Sequence, residues 1–179
     1  MYHDDVDEQL IIRTERAQAL VSTVGNAAMA TVNADGSPHN TPLFVAFSPD
    51  FMTVYWSSNP GSLHSKNVER TKQAYLVLFT ADDGGGLYFP VEAVESAGGE
   101  QLAVGLTAYN IARVVHGRKQ PLLTAAFEPP NIQRLYRATV SSFSINLAER
   151  DAKDQIIRDY RQQISAQQLA APAEDAAIY

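Results

Sequence analysis

The residues best suited to chemistry are gathered in one short stretch, "WSSNPGSLHSKN", Trp56 to Asn67. Four serines, one histidine and one lysine surround an Asn-Pro-Gly turn. A dianionic phosphate needs several hydrogen-bond donors and at least one cation, and the start of a helix adds free backbone amides and a favourable dipole. Ser58, Ser62 and Ser65 can donate hydroxyls, Lys66 or a protonated His64 can supply charge, and Asn67 can fix the loop or reach the phosphate. The same composition also suits a plain solvated turn, with Ser62 as N-cap of a helix running to Arg70. The residue types alone leave both readings open. Other chemistries are poorly served. The chain has no cysteine, which removes thiolate nucleophiles, disulfides and cysteine-bound zinc. His3, His39, His64 and His116 have no metal-ligand spacing and no carboxylate cluster beside them. "ADDGGG" lacks the Lys-Ser/Thr ending of a phosphate loop and reads as a tight reversal between strands.

Several elements must position that corner. Leu10, Ala17, Val21 and Val24, with Ile11 and Leu20 beside them, form one stripe of helical period from Asp7 to Val24, stopped by Gly25-Asn26. The acidic start, with Asp4, Asp5, Asp7 and Glu8, is a solvated helix beginning favoured by the dipole. The next segment, ending at "YWSS", reads as three antiparallel strands with turns at Asp35-Gly36 and Pro49-Asp50. Beyond the corner, Ala74 to Thr80 and Leu87 to Glu95 form a second pair. Leu102, Leu106, Tyr109 and Ala112 predict a helix from Glu100 to His116, and "GRKQPLLTAAFEPPN" a Pro-marked loop. "LYRATVSSFSINL" predicts a sixth strand with a face switch near Ser141-Ser142, and Ile156, Ile157, Tyr160 and Ile164 predict a last helix over Asp151 to Ile164. Six antiparallel strands with inserted helices make a mainly β, α+β barrel that closes its own edges and leaves little interior room. A ligand of any size must sit outside it.

The whole composition bounds the partners. At 179 residues, 45% hydrophobic and 19% charged, the chain is expected to form one globular domain over 1–168, with N- and C-terminal helices and a flexible tail over 169–179. The tail has little to bury unless Ile178 and Tyr179 dock on a partner. The net charge is −6 and its 14 Lys and Arg are dispersed, which disfavours nucleic acid. No apolar run reaches bilayer length, and "MYHDDVDEQ" lacks the order of a signal peptide, so a cytoplasmic protein is expected.

The order of "MATVNADGSPHNTPLFVAF", "TVYWSSNPGSLHSKNVERTKQAYLVLF" and "GGLYFPVEAVE" resembles the pyridoxamine 5′-phosphate oxidase-like group of FMN-binding split barrels. The resemblance spans about Leu20 to Glu95 and touches "LYRATVSSFSIN". It implies a six-stranded antiparallel split β-barrel, a homodimer, and FMN in the interface groove with its phosphate near the serine corner. The isoalloxazine ring wants a flat wall with backbone donors and acceptors at its edge, which Asn40, Thr41, Pro42 and Leu43 can provide. Trp56 can cover a face of the ring or close the barrel, and Ser57 belongs to the same implied contact set. The chain departs from the oxidases in having Leu63-His64 where they carry Arg-Lys, in "HNTPLF" where they carry an arginine, and in lacking their Arg-rich C-terminal segment. Oxidation of pyridoxamine phosphate is therefore not expected. The resemblance implies an FMN-dependent oxidoreductase acting on a small molecule, with no catalytic side chain named. The alternatives are a flavin or haem binding or storage protein, with His39, His64 or His116 as axial candidate, and a relative with an empty groove.

Overall fold

The computed structural model describes residues 2–81, 85–153 and 155–171, with the side chains of the first helix from Ile11 onward. That helix, α1, covers Tyr2–Thr23 and buries Ala17 and Leu20, as the stripe predicts. Leu10 and the four acidic residues of the start lie outside the described side chains, as Asp82 to Gly84 and 172–179 lie outside the described residues. β1 (Asn26–Val32) and β2 (Pro38–Phe47) form a hairpin over Asp35-Gly36, and β3 (Thr53–Ser58) returns after Pro49-Asp50. α2 (Leu63–Thr71) follows the serine corner. β4 (Ala74–Phe79) and β5 (Gly86–Ser96) pair along their whole overlap, and α3 spans Gly99–Val115. β6 (Arg134–Val140), β7 (Phe143–Arg150), β8 (Ile156–Ile164) and α4 (Ala166–Ala170) complete the fold.

The pairing β1-β2-β3-β6-β5-β4 returns to β1 and closes a six-stranded antiparallel barrel. β5 belongs to three partners because its ladder to β6 shifts register between Glu92 and Glu95, around Ala93 at φ 52°. Its first half, Leu87 and Tyr88, is left to receive β7. The interior is filled by Trp56, Phe89, Met29, Leu76, Leu78, Leu87 and Ile145, all below 2% exposed. Large side chains thus occupy the interior, which leaves the little room expected of a barrel of this size. A second cluster, Ala46, Tyr55, Leu102, Leu106, Tyr109 and Leu135, fixes α3 to the outer face of β2, β3 and β6.

Three sequence readings are corrected. The expected sixth strand is two strands, broken at Ser141-Ser142, where the face switch was placed. The helix over Asp151 to Ile164 does not form: Ile156–Ile164 is β8, laddered to β7 from Phe143↔Ile164 to Arg150↔Ile156. Ile156 and Ile157 are exposed, so their helix-like spacing marks no buried face. The C-terminal helix is instead the short α4, begun by a capping box at Ser165 and Gln168. Leu169, assigned to the tail, belongs to α4 and is buried in the core.

Candidate functional site

α2 plugs one end of the barrel, and the alternation of the strands decides what meets it. On β3, Val54, Trp56 and Ser58 point inward, while Tyr55 lies under α3 and Ser57 reaches Gln133 Oε1 at 3.2 Å on the other face. Ser58 is the last inward residue of β3, so its hydroxyl emerges where α2 begins.

There the expected corner assembles. Ser62 Oγ donates to Ser65 Oγ at 2.9 Å, and Ser65 Oγ donates to Ser58 Oγ at 3.0 Å. His64 Nε2 lies 2.6 Å from Ser58 Oγ and 3.1 Å from Ser62 Oγ. Ser58 and Ser65 are buried, while Ser62 and His64 are half-exposed at the mouth. Ser62 occupies the N-cap position, as expected, yet its hydroxyl makes no cap bond because the serine network takes it. The first α2 bond runs from the Lys66 amide to the Ser62 carbonyl, leaving the Leu63, His64 and Ser65 amides without a partner among the described residues. Three hydroxyls, three free amides and an imidazole thus gather at the start of α2. Burial, with the charge of His39 second, holds the His64 imidazole below its ordinary pKa.

The remaining candidates divide. Lys66 is exposed on the next turn. Asn67 turns away from the corner and donates to Thr31 Oγ1 at 3.1 Å and Asn33 Oδ1 at 2.8 Å, so it ties α2 to the β1 end. Trp56 has no exposed surface and stacks on Tyr136 at 5.6 Å inside the barrel, the closing role rather than the ring-covering one. Its Nε1 has no hydrogen-bond partner. β2 ladders to β3 from Val45 to Phe47, and from Pro38 to Phe44 its edge on that side pairs with no strand among the described residues. That stretch carries Asn40, Thr41, Pro42 and Leu43. Leu43 packs on the core and Asn40 and Pro42 face outward into a shallow groove with Gly25 to Ala28 and Phe79. His39, on this same stretch of β2, acts electrostatically on His64.

Arg134, on β6 directly opposite Ser58, was missed by sequence reasoning. Its Nη1 donates to the Asn131 and Gln133 carbonyls, both at 2.7 Å. Only the cross-strand register reveals it, and no local signal in "IQRLY" does. His116 packs between Gly25 and Phe44, 5.7 Å from the Phe44 ring, beside an apolar groove of about 730 Å³ between α1, α3 and the β2-β3 turn. Among the described residues no group of His, Asp or Glu is placed to hold a metal, and no helix is long and apolar enough to cross a membrane.

No protein-family model matches the chain, and a comparison with curated proteins gives no match. Solved structures do match. Atu2129 of Agrobacterium tumefaciens, of unknown function, superposes with a TM-score of 0.59 at 22% identity, over 75% of this chain and 56% of that one. A haem-binding protein of Mycobacterium smegmatis gives 0.56 at 13% identity, over 92% and 59%. A Clostridium acetobutylicum protein related to general stress protein 26, of the pyridoxinephosphate oxidase family, gives 0.54 at 11%, over 88% and 96%. The fold is that of the pyridoxamine 5′-phosphate oxidase-like split barrels. The chain spans less than two thirds of the first two neighbours, so the whole-protein activities of those neighbours are not carried over.

Proposed function

We propose that this split barrel binds FMN, with the phosphate at the Ser58-Ser62-Ser65-His64 corner and the ring along the free edge of β2, and that it is an oxidoreductase acting on a small molecule. The observation that carries the reading is the corner itself: hydroxyls from β3 and α2 converge with three free helix amides, the donor set that a dianionic phosphate requires. Lys66 lies one turn away to add charge, and Arg134 stands across β3. Bound flavin supplies hydride and electron transfer between a reduced nicotinamide and an organic acceptor. The chain's own residues bind and orient it, and the Asn40 to Leu43 backbone offers donors and acceptors to the ring edge. The cofactor is shared between two copies of the chain, a homodimer with FMN at the interface, and the protein works in the cytoplasm.

The test is direct. Purified protein is expected to be yellow or to quench FMN fluorescence on titration, and to bleach when a nicotinamide donor is added without oxygen. Ser62→Ala combined with Lys66→Ala is expected to weaken FMN binding at least tenfold, since each hydrogen bond to a charged group contributes about 1.5–3 kcal/mol. Undiminished affinity in that variant removes the phosphate from this corner. A haem reading is favoured by one observation, His116 beside the apolar groove, in a fold shared with a haem-binding protein. A red protein with a Soret band lost in His116→Ala is its signature.

A further inference from the structure

The hydrogen bonds of the corner have a direction. Ser62 donates to Ser65, and Ser65 donates to Ser58. The remaining proton, on Ser58, has the carbonyl of Asn59 at 3.5 Å, Ser62 Oγ at 3.2 Å and His64 Nε2 at 2.6 Å. Assigned to Nε2, the nearest of these acceptors, it makes the neutral His64 the Nδ1-H tautomer. In this state every serine proton is spent inside the cluster. A phosphate arriving at the mouth meets hydroxyl oxygens and an imidazole without charge.

We infer that His64 is a proton-operated latch on this corner: protonated, its Nε2 donates to Ser58, the serine chain reverses, and the Ser62 hydroxyl proton is released toward an anion. In the reversed chain Ser58 donates to Ser65 and Ser65 to Ser62. Ser62 is the outermost of the three and stands beside the free amides of α2, so the freed donor emerges where a phosphate can take it. The same event places a positive charge at the mouth. Where the oxidases hold two fixed cations, this corner gains one of its cations only with a proton. The inference rests on the flavin phosphate occupying the corner.

Among the described residues no carboxylate is paired with His64. β1 has no charged residue, β2 contributes His39 and β3 none. α2 carries Lys66, Glu69 and Arg70, the last donating to the Val32 carbonyl. β6 places Arg134 directly opposite Ser58 and also carries Arg137, and β5 carries Glu92 and Glu95, the last already paired with Arg137 at 3.1 Å. Burial and His39 both favour the neutral imidazole, and a bound dianion favours the charged one. The sign follows. The His64 pKa rises on binding, so FMN affinity is complete below the pKa of the free protein and falls as pH rises through the interval between the free and bound values.

The test titrates FMN and riboflavin against the whole protein by flavin fluorescence from pH 6.5 to 9, above the second ionisation of the phosphate at about 6. FMN affinity is expected to fall by up to about tenfold per pH unit within that interval, while riboflavin affinity stays flat. His64→Lys is expected to hold FMN across the whole range, and His64→Gln to bind at all pH as wild type does at the high end. The His64 ring proton, followed by NMR in the wild type, is expected to titrate higher with inorganic phosphate present, a readout independent of how the variants fold. FMN affinity that is constant with pH, or that changes equally for riboflavin, overturns the latch and leaves the phosphate site standing. Binding of neither flavin at any pH overturns the proposed function and the latch with it.

Discussion

Asn67 and Lys66 are neighbours in sequence with opposite duties. Asn67 is buried and spends both amide hydrogens on Thr31 and Asn33, so Asn67→Ala leaves the buried Thr31 hydroxyl without its donor and removes two of the ties between α2 and the β1 end. The expected loss is about 1–3 kcal/mol, read as a lower unfolding midpoint. Lys66→Ala, at an exposed position, is expected to leave that midpoint unchanged and to act on phosphate affinity alone. A stability loss at Lys66 equal to that at Asn67 contradicts the assignment. The sequence shows both residues in one polar corner and cannot separate them, because the partners of Asn67 lie 36 and 34 positions away on another strand. The serine-histidine contacts were legible because all four residues fall within one strand end and one helical turn. The bearing of His39 on His64 was not legible, because it depends on the hairpin register. Arg134 was invisible for the same reason, as cross-strand neighbours carry no mark in their own local sequence.

At the scale of elements, α3 depends on one close approach. A Cβ added at Gly105 would lie 2.6 Å from the Tyr55 ring and 3.1 Å from Leu135, atoms that sit in the packed cluster beneath the helix. Gly105→Ala is therefore expected to push α3 off the barrel and to cost about 1–3 kcal/mol in chemical denaturation, the opposite of what helix propensity alone gives Ala over Gly. An unchanged or raised midpoint would show that α3 is not seated on Tyr55. The helix itself was readable, since Leu102, Leu106 and Tyr109 are buried at helical spacing. β8 was not readable. Its backbone is held by the β7 ladder while nearly all its side chains face solvent, so burial imposed no period of two, and Ile156, Ile157, Tyr160 and Ile164 imitated a helix by their spacing alone. The division of "LYRATVSSFSINL" was half legible. The face switch at Ser141-Ser142 was visible, but only the topology shows that β6 closes the barrel while β7 leaves it beside β5.

For the whole molecule, the covered and uncovered sides of α3 bear on assembly. Its inner stripe packs on the barrel, yet Val104, Ile111 and Val115, exposed by 58%, 62% and 65%, form a second stripe at the spacing used where helices pack on helices. An apolar stripe of this extent beside the groove against α1 is costly in a lone protomer. The proposed homodimer gives it a partner, and the stripe supplies the means to break that dimer without touching the serine corner. Light scattering is expected to give twice the protomer mass for the wild type, and Ile111→Glu, which forces a carboxylate into the seam, is expected to give single protomers. Since the proposal shares FMN between protomers, the same variant is expected to lose FMN affinity although Ser58, Ser62, His64 and Ser65 are intact. A protein that is monomeric at micromolar concentration and still binds FMN would place the whole ring and phosphate within one chain and remove the second copy from the site.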